Sequence, residues 1–272
     1  YLVSPKRVFK GNKAWEKALP EVSKLTRSPL LLGRSNATRS LREKITQDLN
    51  LFNSKPTNET LLFDCCEQDL NRLLKIASDI QCDAIIAAGG GKVLDAGKIL
   101  AHHLSIPCIT VPLSASTCAG WTALGNIYTP QGQFIKDMNL HSCPDILIFD
   151  YSFIKTAPTN TLTSGIADSL AKWYESSITS SSNKDGLVQQ AIQISRVLRD
   201  QLFIDGEKAL ADNSEENLAW RNVVEGNGLT AGLIGGIGGA KCRTAAAHAI
   251  HNAITQLQPK KKPLHGEIVG VG

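Results

Sequence analysis

The feature that most constrains this chain is a strand-like stretch, Asp83 to Ala88, whose apolar run Ala84–Ala88 passes straight into Gly89-Gly90-Gly91 and then into helical spacing. Val93, Leu94, Gly97, Leu100 and Leu104 come next, at the intervals of one helix face. A wholly apolar strand belongs inside a sheet covered on both faces, and a helix that starts directly after it is half of a parallel crossover. The same alternation recurs along the first half. Leu30–Leu32 reads as a strand between Pro29 and Gly33, Leu41–Leu49 as a helix, and Glu59–Phe63 as a strand. Leu70, Leu73, Leu74 and Ile80 then mark a helical face, and Ile109–Val111 and Ile146–Phe149 read as further strands. This pattern predicts an open, mainly parallel α/β sheet over residues 1–155.

Beyond Phe153 the strands stop. Residues 161–180, 186–211 and 215–230 carry apolar residues at helical spacing, Gly235–Gly239 reads as an interruption, and Thr244–Leu257 resumes as a helix. The expectation is an all-helical domain over 156–272, with no repeat at a fixed period.

Composition removes several function classes. With 42% hydrophobic and 20% charged residues the chain is neither disordered nor, lacking any run of ~18–20 apolar residues, membrane-spanning. A net charge of +4 is too small to point to nucleic acid, and Lys260-Lys261-Lys262 reads as a solvated loop. The seven cysteines (Cys65, Cys66, Cys82, Cys108, Cys118, Cys143, Cys242) are odd in number and lack C-x-x-C spacing, which points to free thiols and a cytoplasmic compartment. Tyr1-Leu2-Val3-Ser4-Pro5 has neither the charged nor the apolar region of a signal peptide, and lacks an initiating Met.

Three elements carry chemistry. Gly89, Gly90, Gly91 and Lys92 place backbone N–H groups at a helix N-terminus, where a phosphate can approach without meeting a Cβ; the same residues also suit a plain tight turn. Ser114-Ala115-Ser116-Thr117-Cys118 lies past the carboxyl end of a strand, where small hydroxyl groups can meet phosphate or ribose. Finally, Asp168, the helical pair His248 and His251, and His265 supply one carboxylate and several imidazoles. That set suits either a divalent metal with open positions or ordinary core histidines.

Together these stretches resemble the iron-containing (group III) alcohol dehydrogenase superfamily, in its glycerol dehydrogenase-like branch. Gly89–Lys98 resembles the family's G-G-G-x-x-x-D-x-x-K nucleotide motif, and Gly165-Ile166-Ala167-Asp168-Ser169-Leu170-Ala171-Lys172-Trp173-Tyr174-Glu175 resembles the stretch that holds its aspartate ligand. Ala246–Asn252 and His265-Gly266-Glu267 resemble its two histidine segments, and Val3–Arg7 and Asn126–Thr129 extend the likeness. The resemblance implies a dehydroquinate synthase-like/glycerol dehydrogenase-like fold: an α/β domain for NAD or NADP, a helical domain for one divalent metal, and an active site in the cleft between them. It assigns Asp168, His248 and His265 as ligands, with zinc in preference to iron, and puts His251 near the substrate as a polar contact or a support for the ligands. Gly89–Gly91 would hold the pyrophosphate, Asp95 would approach the nicotinamide end, and Ser114, Ser116 and Thr117 would contact the cofactor. The reaction implied is hydride transfer between a small alcohol or polyol and the nicotinamide, with the hydroxyl activated on the metal. A homo-oligomer is usual for the family.

The sequence departs from the pattern in places. Cys118 stands where glycerol dehydrogenases carry a substrate-contacting Asp, and Trp121 nearby implies a differently shaped pocket. Arg34 comes after the Leu30–Leu32 strand where NAD-preferring members often have Asp, which favours NADP if Arg34 meets a 2′-phosphate and nothing if it faces solvent. Lys241 and Arg243 suit an anionic substrate or a solvated turn. Glycerol-1-phosphate dehydrogenases, dehydroquinate synthase-type carbocycle-forming enzymes and a catalytically dead scaffold remain alternatives on the same fold; Asp168 speaks against the second, whose relatives tend to carry Glu. Family members continue past the second histidine segment, whereas this sequence ends at Gly272, so the resemblance implies a missing C-terminal part.

Overall fold

A computed structural model describes residues 1–214, 217–242, 245–257 and 263–272. Arg243 and Lys260-Lys261-Lys262 lie outside the described residues. The chain packs as two compact units.

The first unit comprises Pro5–Leu113 and Ala123–Ile154. Its elements are β1 (Arg7–Gly11), α1 (Ala14–Leu25), β2 (Leu30–Gly33), α2 (Arg39–Leu51), β3 (Thr57–Thr60), α3 (Glu67–Asp79), β4 (Ile85–Gly89), α4 (Gly91–Leu104), β5 (Cys108–Pro112), β6 (Leu124–Tyr128), β7 (Phe134–Asn139), β8 (Ile146–Asp150) and α5 (Tyr151–Ile154). Six strands form one parallel sheet in the order β1-β8-β5-β4-β2-β3, and β6 and β7 form a separate antiparallel hairpin.

Side chains alternate across the sheet, which explains the continuous apolar runs. On one face Leu31, Ile86, Ala88, Ile109, Val111, Ile146 and Ile148 pack with Trp15, Ala18 and Val22 of α1 and Ile45 and Leu49 of α2. On the other, α4 lies so close that a Cβ on Gly97 would stand 2.4 Å from the Ala87 Cβ, so glycine is what permits that helix–sheet contact.

The expected strands and helices of this half are present, with differences. The third strand is Thr57–Thr60 rather than Glu59–Phe63. Residues after it turn instead, because Asp69 at the start of α3 accepts hydrogen bonds from the Leu62 and Phe63 N–H groups. Strand β1, helix α1 and the β6–β7 hairpin are additions to the sequence reading. Their exposed or polar residues, and Pro20 inside α1, blur the periodicity.

The second unit comprises Tyr1–Ser4, Ser114–Thr122 and Lys155–Gly272. Its helices are α6 (Thr159–Thr179), α7 (Gly186–Ala211), α8 (Leu218–Glu225), α9 (Ala231–Gly238), α10 (Ala246–Gln256) and α11 (His265–Val269), with a π-helical turn at Gly226–Thr230 between α8 and α9. The interruption expected at Gly235–Gly239 falls at the end of that stretch: α9 continues through Gly238, and Gly239, at φ 61, closes it. Its glycines serve close packing: a Cβ on Gly236 would meet the Val3 carbonyl at 2.3 Å, and one on Gly232 would meet the Trp121 side chain at 2.5 Å. All seven cysteines are free thiols, five of them buried. Among the described residues no helix is long and apolar enough to cross a membrane.

Candidate active site

The second unit brings Asp168, His248 and His265 together: one donor atom from each lies within 4.8 Å of the others. Asp168 sits in the middle of α6, and Glu175, seven residues on, shares its face two turns later. Both carboxylates are buried. Helix α10 opens at Ala246 with no side-chain cap of its own. Glu175 supplies one from α6: its Oε1 accepts from the Ala245 N–H at 2.7 Å and the His248 N–H at 3.0 Å. Its Oε2 lies 2.6 Å from His248 Nδ1.

Helix α11 begins at His265 and is pressed against α6. A Cβ on Gly266 would stand 1.8 Å from the Ser164 carbonyl oxygen, and the Gly266 N–H donates to Ser164 Oγ at 3.1 Å. Ala171, Ala247 and Val269 form the small apolar floor where α6, α10 and α11 meet.

Around Asp168 the donor atoms converge. His248 Nε2 is 3.5 Å and His265 Nε2 is 3.4 Å from Asp168 Oδ1, a buried oxygen with no hydrogen-bond partner among the described residues. His251, one turn after His248, is buried; its Nε2 lies 3.0 Å from His265 Nδ1 and its Nδ1 2.9 Å from Asn252 Oδ1. Burial opposes ionisation of Asp168, but the charge of Lys172 and the imidazoles of His248 and His265 beside it hold its carboxyl well below the usual range. Burial likewise opposes the charged form of His248, yet Asp168 and Glu175 raise its affinity for a proton. For His251, burial and then the neighbouring His265 push the pKa down to about 4, so this ring stays neutral. The point between Asp168 and the two Nε2 atoms thus attracts positive charge.

Of the remaining predicted residues in this unit, Ser114 and Ser116 have hydroxyl oxygens 3.1 Å apart, and Thr117 Oγ1 accepts from the Ala119 N–H at 3.2 Å. Cys118 is half-buried, and its carbonyl accepts from the Trp121 N–H at 3.0 Å. Trp121 donates its indole N–H to the Val3 carbonyl at 2.8 Å while its ring packs on Gly232. Asn227, fully buried in the π-helical turn, donates to the Ala115 carbonyl at 3.2 Å and so pins this loop. Lys241 has an exposed side chain, and its carbonyl accepts from Ser180 Oγ at 2.7 Å.

In the first unit, Gly89 closes β4, Gly90 caps α4 and Gly91 begins it, so the strand delivers the chain directly to a helix N-terminus. A Cβ on Gly89 would lie 2.7 Å from the Val93 side chain. Arg34 does not simply face solvent. Its Nη1 lies 2.8 Å from Oδ1 of buried Asp64, whose Oδ2 is 2.7 Å from Lys92 Nζ. Burial raises the Asp64 pKa, but the two cations, Lys92 foremost, bring it below the ordinary value. Asp95 is buried, ion-paired with Lys98 at 3.0 Å, and accepts from the Asn126 N–H at 3.2 Å.

Glu175, Asp64, Asn252 and Asn227 had no role in the sequence reading. An acid seven residues after Asp168 was a visible signal for Glu175; for Asp64 and Asn227 the partners come from distant segments, and only folding reveals them.

Residues 5–151 match the family described as iron-containing alcohol dehydrogenase. An uncharacterized oxidoreductase of Synechocystis sp. is 48% identical over 209 residues, which are 77% of this chain and 54% of that protein. A glycerol dehydrogenase of Escherichia coli is 35% identical over 216 residues, covering 77% of this chain and 58% of the relative. The crystal structure of a probable glycerol dehydrogenase from Sinorhizobium meliloti superposes with a TM-score of 0.87 at 26% identity, over 100% of this chain and 76% of that one. The chain thus spans little more than half the length of these curated relatives. With the glycine turn, the Asp168–His248–His265 cluster and these likenesses in agreement, the chain belongs to the iron-containing alcohol dehydrogenase family, in its glycerol dehydrogenase-like branch.

Proposed function

We propose that this protein is an NAD(P)-dependent oxidoreductase that transfers a hydride between the nicotinamide and a small alcohol or polyol, with Asp168, His248 and His265 holding one divalent metal. The observation that carries the reading is the bare, buried Asp168 Oδ1 faced by two Nε2 atoms at 3.5 and 3.4 Å. Those separations exceed an ordinary hydrogen bond. They suit donor atoms arranged around one ion, because bonds of about 2.0–2.1 Å at tetrahedral angles set ligand atoms about 3.3–3.4 Å apart. The metal, which we take to be zinc rather than iron, supplies Lewis acidity towards the substrate hydroxyl.

The chain's own residues do the rest. Asp168 contributes the negative charge of the set, and His251 supports His265 from behind, its Nε2 lying 3.0 Å from His265 Nδ1. Cys118, standing where glycerol dehydrogenases carry a substrate-contacting Asp, and Trp121 shape the substrate side, which favours a less hydroxylated substrate than glycerol. Within the first unit Gly89, Gly90, Gly91 and the α4 N-terminus receive the pyrophosphate and Asp95 serves the nicotinamide end; within the second, Ser114, Ser116 and Thr117 offer hydroxyls to the cofactor. We place the enzyme in the cytoplasm, in keeping with its free thiols.

The test is direct. Purified protein should oxidise a small diol with NADP⁺ or NAD⁺, lose that activity after chelation, and regain it on adding Zn²⁺. Activity that survives complete metal removal would overturn the assignment.

Arg34 and Lys92, both tied to Asp64, leave this corner with a net positive charge, and we read it as the seat of the cofactor's 2′-phosphate. Arg34→Gln is expected to lower the ratio of NADP to NAD efficiency by about tenfold, or ~1.4 kcal/mol. An unchanged ratio sinks the idea.

A further inference from the structure

We infer that Glu175 is a positioning residue of the metal site: its carboxylate keeps the proton of His248 on Nδ1, so that Nε2 presents a lone pair beside Asp168. The inference rests on the reading of Asp168, His248 and His265 as metal ligands.

The hydrogen bonds around Glu175 lead there. An ionised carboxylate can only accept, so the 2.6 Å contact between Glu175 Oε2 and His248 Nδ1 requires the proton to sit on Nδ1. In a neutral imidazole the other nitrogen is then bare, and here that nitrogen is the one 3.5 Å from Asp168 Oδ1. The same carboxylate meets the Ala245 and His248 N–H groups with Oε1, at 2.7 and 3.0 Å, where α10 has no cap of its own. Glu175 therefore fixes both where α10 begins and which nitrogen of its ligand is free. Because Asp168 lies on the same face of α6, one helix carries the ligand carboxylate and the group that prepares its neighbour. A carboxylate behind a ligating histidine also raises the basicity of that ligand.

Glutamine in this position separates the two roles from bulk packing. Its amide has one accepting and one donating end. With the oxygen towards the backbone N–H groups, the amide N–H₂ faces Nδ1 and drives the proton to Nε2, where it opposes a cation. Turned the other way, the N–H₂ faces two backbone donors and the cap is lost.

The experiment is a Zn²⁺ titration of metal-stripped parent, Glu175→Gln and Asp168→Asn proteins against a chromophoric chelator, with melting of each stripped protein as the control. Glu175→Gln should bind Zn²⁺ about 10–100-fold more weakly than the parent. Affinity within twofold of the parent in a folded Glu175→Gln protein overturns the inference. Long-range ¹H–¹⁵N spectra of the stripped parent in mildly alkaline buffer decide the matter even if the variant fails to fold. His248 should show the Nδ1–H tautomer, and an Nε2–H tautomer refutes the role of Glu175. A parent that binds Zn²⁺ no better than Asp168→Asn overturns the metal reading instead, and the tautomer spectrum still reports on Glu175 separately.

Discussion

Asp168→Asn should abolish tight metal binding and reduce turnover by about 10³-fold, because the Lewis acid is worth several kcal/mol of transition-state stabilisation and each ~1.4 kcal/mol is a decade in rate. Asparagine keeps the volume of the buried side chain and removes its charge. The metal-stripped variant should therefore melt within a few degrees of the stripped parent, a shift of ~1 kcal/mol or less. The contrast lies in the response to added metal. A ligand at 1,000 times its dissociation constant stabilises the native state by about 4 kcal/mol, and that gain should vanish in the variant. Metal analysis, calorimetry and steady-state rates check the three parts separately. A variant that keeps stoichiometric metal and parental turnover would falsify the site.

Gly266→Ala should have the largest effect on stability. The new methyl would stand 1.8 Å from the Ser164 carbonyl oxygen and 2.8 Å from Ser164 Oγ, so backbone, not a flexible side chain, blocks it. Helix α11 must then back away from α6 and carry His265 with it. Overpacking typically costs 1–3 kcal/mol and occasionally more, and a backbone clash belongs at the upper end, about 3 kcal/mol. Metal affinity should fall in parallel. Gly186, at the start of α7, is the internal control: a Cβ there meets nothing within 4 Å, and alanine favours helix, so Gly186→Ala should be neutral or slightly stabilising. Denaturant melts of the two variants give the comparison, and a Gly266→Ala protein as stable as the parent removes the close approach on which the site depends.

The parallel sheet was legible because its central strands are apolar on both sides. Leu30–Leu32, Ile85–Ala88 and Ile146–Phe149 look like interior strands in any context, and the glycine turn dictates a helix directly after β4. The amphipathic helices α2 and α3, and α4, buried continuously from Val93 to Ala101, were equally plain. What escaped were the elements whose residues face water or one another. Strand β1 and the β6–β7 hairpin show no steady alternation, and α9 hides behind glycines that exist to admit Val3 and Trp121. At the site, the histidine and aspartate positions could be picked from residue type and spacing with the family resemblance beside them. Their support could not. Glu175 stands at a visible spacing from Asp168, but its contact with His248 of α10 spans 73 residues of sequence and shows only in the fold. Arg34 shows the same limit, since its pairing with Asp64 joins the end of β2 to the loop after β3.

The ends of the sheet carry a consequence of a different kind. Its two outermost strands, β1 and β3, are five and four residues long, and each has a neighbouring strand on one side only among the described residues, the kind of edge that invites association with other chains. Arg7 and Lys10 along β1, and Thr57, Asn58, Glu59 and Thr60 along β3, make those edges charged or polar as well as short. A crowded, partly folded population would find little there to template cross-strand aggregation, although the strands just inside are among the most aggregation-prone segments of the chain.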